Sequence, residues 1–129
     1  MRLEDEMLRK KRWAVVGAST DPHKFGYKIY MKLKRFGYEV YPINPGYSDI
    51  EGDPCYGSLS ALPVKPDVVD MVVNPRIGVN IINEASNLGI KYIWFQPGTF
   101  NDEIIQLAED KNIQYVKNCV LTELDKMNK

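Results

Sequence analysis

The chain is poor in the residues that build metal centres, disulfide frameworks and membrane spans. It has two cysteines, Cys55 and Cys119, and one histidine, His23. No C-x-x-C pair and no H-E-x-x-H motif occurs, so the usual zinc sites are excluded and no metal is expected. The two cysteines lie far apart in sequence and make no disulfide framework. No apolar run approaches the roughly 18 residues that cross a bilayer, and the start of the chain is charged rather than leader-like. A cytoplasmic protein is the expectation. Charge of one sign is missing too: Lys+Arg and Asp+Glu stand at 17 each, so no global field favours nucleic acid or a membrane surface, and neither is expected as a partner. Asp49, Glu51 and Asp53 alternate without EF-hand spacing and read as solvating their loop. Repeats, low-complexity tracts and linkers are absent.

What is present is an alternation of two periodicities. With 129 residues and 44% hydrophobic content, the chain is expected to form one domain around a single core. A short helix is expected at 3–10 and a first strand at 13–17. A helix at 25–36 follows, with Gly37 as its C-terminal stop. A second strand runs over 38–43 and ends among prolines. Residues 46–66 are rich in glycine and proline and read as a loop with one helical turn near Leu59–Leu62. The third strand, 68–73, is almost continuously apolar, as a strand covered on both faces is. A helix at 76–88, a strand at 91–95, a helix from Asn101, a strand at 113–116 and a helical tail complete the pattern. It predicts an α/β fold, a doubly wound, parallel, five-stranded, Rossmann-like sheet of order 3-2-1-4-5. Ligands of such sheets bind beyond the carboxyl ends of the strands, where the winding reverses. Gly17-Ala18-Ser19, Asn44-Pro45, Asn74-Pro75-Arg76 and Gln96-Pro97-Gly98 all stand at such ends.

The stretch from Trp13 to Gly26 carries the most chemistry. An apolar strand halts at Gly17, a small-residue loop follows, and a helix begins. That arrangement presents backbone N–H groups and a helix N-terminus to a phosphate. An ordinary strand-to-helix turn is the plainer reading. The dinucleotide pattern G-x-G-x-x-G is not met, because Ser19 stands at the second glycine and the next glycine is Gly26. The second strand also ends in Asn44-Pro45-Gly46, with no acid for a ribose 2′-hydroxyl. NAD is therefore disfavoured.

Val15-Val16-Gly17-Ala18-Ser19, Gly26-Tyr27, Tyr41-Pro42-Ile43-Asn44-Pro45, the strand 68–73 with Asn74, Trp94-Phe95-Gln96-Pro97-Gly98 and Cys119 together resemble the small coenzyme A-binding domain family. That family is related to the N-terminal domain of the succinyl-CoA synthetase α subunit. The resemblance covers nearly the whole chain. Pro97, where a small or aliphatic residue is commoner, and the tail Val120-Leu121-Thr122-Glu123, less basic than usual, depart from it. It implies coenzyme A or an acyl-CoA as the bound small molecule. Gly17 and Ala18 would shape the phosphate turn, with Gly17 keeping the phosphate approach open. Ser19 and Thr20 would add hydroxyl donors, and Lys24 a positive charge where the helix dipole already favours anions. Gly26 and Tyr27 continue the motif. The resemblance places Asn44, Pro45 and Tyr47 near the nucleotide, and Val73, Asn74 and Arg76 along the other side. Arg76 suits a bidentate phosphate contact, or else is a solvated residue in a first turn. Gln96, Gly98 and Cys119 complete the ligand-binding set.

No nucleophile–base pair or second closing domain is evident, so no catalytic residues are assigned and a non-enzymatic role as carrier, sensor or presenter is favoured. Three alternatives remain open: an NAD(P)-binding enzyme, an acyl-transfer enzyme using Cys119, and the CoA-binding subunit of an ATP-grasp acyl-CoA ligase. His23 reads as a solvated loop residue. Cys119 reads either as a small buried hydrophobe or as a thiol within reach of the coenzyme A thiol, with Cys55 the second candidate.

Overall fold

Apolar runs and capping residues set the elements. The computed structural model describes residues 2–127. In chain order the elements are α1 (Leu3–Leu8), β1 (Arg12–Val16), α2 (Phe25–Arg35), β2 (Glu39–Ile43), β3 (Asp49–Ile50), β4 (Asp53–Pro54), a 3-10 turn at Leu59–Ala61, β5 (Val68–Met71), α3 (Pro75–Asn87), β6 (Tyr92–Phe95), α4 (Asp102–Asp110), β7 (Gln114–Lys117) and α5 (Val120–Met127). Asn74 caps α3 by accepting from the Ile77 N–H at 3.2 Å, with Pro75 in the first helical position. Asn101 caps α4 through the Ile104 N–H at 2.9 Å.

Helices cover both faces of the parallel sheet. Met7, Ile29, Tyr30, Leu33, Val120 and Leu124 from α1, α2 and α5 pack on one face with Trp13 and Trp94. Leu59, Ile82, Ala85, Ile104 and Ala108 from the 3-10 turn, α3 and α4 pack on the other with Val69, Met71 and Phe95. Both buried indoles are satisfied, Trp13 Nε1 donating to Lys10 O at 2.9 Å and Trp94 Nε1 to Asn118 O at 2.8 Å. No helix among the described residues is long and apolar enough to cross a membrane.

The strand order corrects the expectation. The sheet runs β2-β1-β5-β6-β7, which in order of appearance is 2-1-3-4-5 and not 3-2-1-4-5. Pro42 supplies the reason. The C=O of Pro42 in β2 and the N–H of Asn44 just beyond it point away from β1 and pair with Tyr56. Pro42 therefore sits in the outward-facing register, where a missing N–H leaves no ladder bond unmade, and β2 is an edge strand. The third strand cannot join there and enters between β1 and the fourth, where all four of its residues are buried. The winding thus reverses between β1 and β5, not between the first and fourth strands.

Residues 49–54, expected as loop, form an antiparallel hairpin. Glu51 (φ 51°) and Gly52 (φ 83°) make its two-residue turn in the left-handed region, as hairpin turns require. Asp53 does more than solvate it: the carboxylate takes the Tyr30 hydroxyl and the Lys34 ammonium, fastening the hairpin to α2.

Candidate functional site

Two glycines bring the end of β1 into backbone contact with the start of α2. Gly17 has φ +101°, and a Cβ there would meet Val73 Cγ1 at 3.0 Å and the Val72 carbonyl carbon at 3.1 Å. A Cβ on Gly26 would lie 2.0 Å from Gly17 O. Gly17 thus shapes the turn against the end of β5. Asn44 ties the next loop to this one: its Nδ2 donates to Ala18 O at 2.9 Å, and its Oδ1 accepts from Gly46 N at 2.8 Å.

The N-terminus of α2 differs from those of α3 and α4. Lys24 is its N-cap residue and makes no side-chain cap, and the first turn carries no acid. The N–H groups of Tyr27 and Lys28 both reach Lys24 O at 3.2 Å, whereas those of Phe25 and Gly26 find no acceptor among the described residues. A cation at the positive end of a helix is electrostatically misplaced unless an anion sits there. Free N–H groups and an ammonium at one point make an anion site.

This corner opens on a cleft of about 580 Å³ that takes residues from beyond the ends of β1, β2, β5, β6 and β7. Of the residues expected at the site it brings together Gly17, Lys24, Gly26, Asn44, Val73, Asn74, Gln96, Gly98 and Cys119. Ala18, Ser19, Thr20, Tyr27, Pro45, Tyr47 and Arg76 are not on its wall. Ala18 and Ser19 are buried, and Ser19 Oγ accepts from Asp21 N at 3.0 Å within the turn. The Tyr47 hydroxyl lies beside those of Ser19 and Thr20, which together with Lys24 hold the phenol below the ordinary tyrosine range. Arg76 is exposed in the first turn of α3.

The sequence reading missed His23, Phe25, Val72 and Thr99. The only signal for them was adjacency to assigned positions. His23 is exposed as expected, yet it also lines the cleft. Cys119 is half-buried on the cleft wall rather than packed in the core. Cys55 is half-buried outside the cleft, its thiol 3.5 Å from Asn44 O and pushed up by burial.

Beneath the cleft lies a buried polar pair. Asp70, in the middle of β5, is 0% exposed and accepts from Gln96 Nε2 at 2.6 Å through Oδ1, while Oδ2 has no partner. Burial pushes the carboxyl up to about 7, with the Gln96 hydrogen bond opposing it. Because the folded value lies above the unfolded one, near 3.8, the native state is favoured most at low pH. This contribution is lost as pH rises from about 4 to about 7. Melting temperature followed across that window should fall with pH by this amount in the wild type. Asp70→Asn is expected to flatten the slope and to melt above wild type at pH 8; a slope unchanged in the variant would assign it to other groups.

Comparison with known proteins agrees on one family. The profile described as "CoA binding domain" matches residues 11–125. The chain is 40% identical over 121 residues to the ADP-forming acetate–CoA ligase of Methanocaldococcus jannaschii, covering 85% of this chain and 17% of that protein. It is 28% identical over 128 residues to the α subunit of ADP-forming acetate–CoA ligase II of Pyrococcus furiosus, covering 90% of this chain and 28% of that subunit. It therefore spans less than a third of the length of these curated relatives. Among solved structures, a hypothetical protein from Pyrococcus horikoshii superposes with a TM-score of 0.92 at 34% identity, with 98% of this chain and 90% of that one covered.

Proposed function

The chain belongs to the CoA-binding domain family, and from that premise we propose that it binds coenzyme A or an acyl-CoA as a stand-alone domain that carries, senses or presents it. The observation that carries the reading is the uncapped N-terminus of α2. Lys24 and the free N–H groups of Phe25 and Gly26 offer charge and donors to a pyrophosphate at the point where the sheet reverses its winding. From there the cleft runs past Val73 and Asn74 to Gln96, Gly98 and Cys119, a path suited to a pantetheine arm. Coenzyme A supplies a thiol, and the chain's part is to hold it.

Coenzyme A at 100 times its dissociation constant stabilises a native state by about 2.7 kcal/mol. For a chain of this size the expected shift is about 10 °C in melting temperature. NAD should shift it far less, since no acid waits at the end of β2 for its ribose 2′-hydroxyl. An equal or larger shift with NAD would remove the proposal.

The match to a ligase α subunit favours a second reading, in which the chain supplies this fold to a separate ligase chain. Affinity purification from the native host, followed by identification of co-purifying chains, distinguishes the two. A stoichiometric larger partner supports the second.

A further inference from the structure

Gln96 has no freedom in how it faces the cleft. Its Oε1 accepts from Val120 N, the first residue of α5, at 3.2 Å, so the amide nitrogen must point the other way, and there it donates to Asp70 Oδ1 at 2.6 Å. The backbone is pinned as well, Gln96 N donating to Met71 O at 3.2 Å and Thr99 Oγ1 donating to Gln96 O at 2.7 Å. A carboxamide nitrogen carries two hydrogens. The second finds no acceptor among the described residues, although Gln96 is only 4% exposed and its side of the molecule lines the cleft. Buried donors are almost always satisfied, so this one wants an acceptor from the cleft. Asp70 is the unexplained group beside it, a fully buried acid with one oxygen unpartnered, in a strand that otherwise carries only apolar residues. Without it, nothing in the core would hold the nitrogen end of the amide in place.

We propose that Asp70 is a positioning residue that locks the Gln96 carboxamide so that the floor of the cleft donates a hydrogen bond to a carbonyl of the ligand. This rests on reading the cleft as a coenzyme A site. The carbonyl belongs either to a pantetheine amide or to an acyl thioester. Both are acceptors of the same chemistry, and comparison of coenzyme A with acetyl-CoA tells them apart.

The test is calorimetric titration of wild type, Asp70→Asn, Asp70→Leu and Gln96→Glu with coenzyme A, acetyl-CoA and adenosine 3′,5′-bisphosphate, which lacks the pantetheine arm. Asparagine keeps an acceptor for Gln96 Nε2 and should hold coenzyme A within about 3-fold of wild type. Leucine releases the amide and glutamate removes the donor, and each should weaken coenzyme A about 10-fold. The bisphosphate should bind all four proteins alike. An equal loss for both thiol-end ligands assigns the pantetheine amide; a larger loss for acetyl-CoA assigns the thioester. The proposal is overturned if Gln96→Glu keeps its coenzyme A affinity, if Asp70→Asn loses as much as Asp70→Leu, or if bisphosphate binding falls in step. Should Asp70→Leu fail to fold, Gln96→Glu and Asp70→Asn decide the matter. Wild type that binds no coenzyme A at all would instead remove the functional reading beneath it.

Discussion

Lys24→Asp is expected to yield a protein that melts higher than wild type and no longer holds coenzyme A. Position 24 has the extended backbone of an N-cap (φ −91°, ψ 148°) but a side chain that cannot cap. Aspartate there would accept from the open N–H groups of the first turn, worth about 1 kcal/mol. Replacing a cation by an anion at the positive end of α2 adds roughly 0.3–1 kcal/mol more. Together these amount to an increase of about 5 °C in melting temperature. The same carboxylate would occupy the anion site and repel a phosphate. Losing a charge-assisted contact costs about 1.5–3 kcal/mol, and with repulsion added the affinity should fall at least ~100-fold. Calorimetry of the free protein and titration with coenzyme A read the two effects separately. A variant that binds normally would place the pyrophosphate elsewhere, and one that melts lower would mean that Lys24 has a structural partner.

The second large effect is on folding. Gly26→Ala goes against propensity, since alanine in a helix is favoured over glycine by about 1 kcal/mol. Here the added Cβ would stand 2.0 Å from Gly17 O. That oxygen and the Gly17 and Ala18 backbone atoms beside it belong to the turn between β1 and α2, which Gly17 N ties to Ile43 O at 3.0 Å, so no simple rotamer change relieves the clash. A loss of more than about 3 kcal/mol is expected, at the upper end for overpacking. Chemical denaturation of the two proteins measures it. A midpoint equal to or above wild type would mean that helix and turn can separate cheaply. Gly17→Val is a poorer probe of binding for the same reason, because its side chain would press on Val72 and Val73.

Local signals were legible in the sequence and non-local pairings were not. Asn101 announced its helix because a cap is a property of a few adjacent residues, whereas Asn74 with Pro75, which begins α3 one residue earlier than expected, was read only as a site segment. The continuous apolar run of β5 announced a strand buried on both faces, yet Asp70 passed unnoticed inside it. Strand order depends on which edges have donors to offer, and the one local clue, Pro42, has meaning only once its register is known. The hairpin at 49–54 escaped because its strands are two residues each and carry acids, leaving no alternation to detect. At the site, segments following strand ends did converge on the cleft. What could not be read was which side chains the turn itself consumes, as it does Ser19 and Asn44.

The arrangement around Pro42 also bears on how copies of this chain meet. Strand addition needs a row of free N–H and C=O groups, and the outer side of β2 has lost one donor to proline while the Pro42 carbonyl and the Asn44 N–H just beyond the strand are taken by Tyr56. That border of the sheet is blocked around Pro42. The opposite border, β7, ends on exposed Lys117, and a lysine there disfavours a second strand laid alongside. Growth of the sheet from molecule to molecule, whether into an ordered assembly or an aggregate, meets an obstacle at either border.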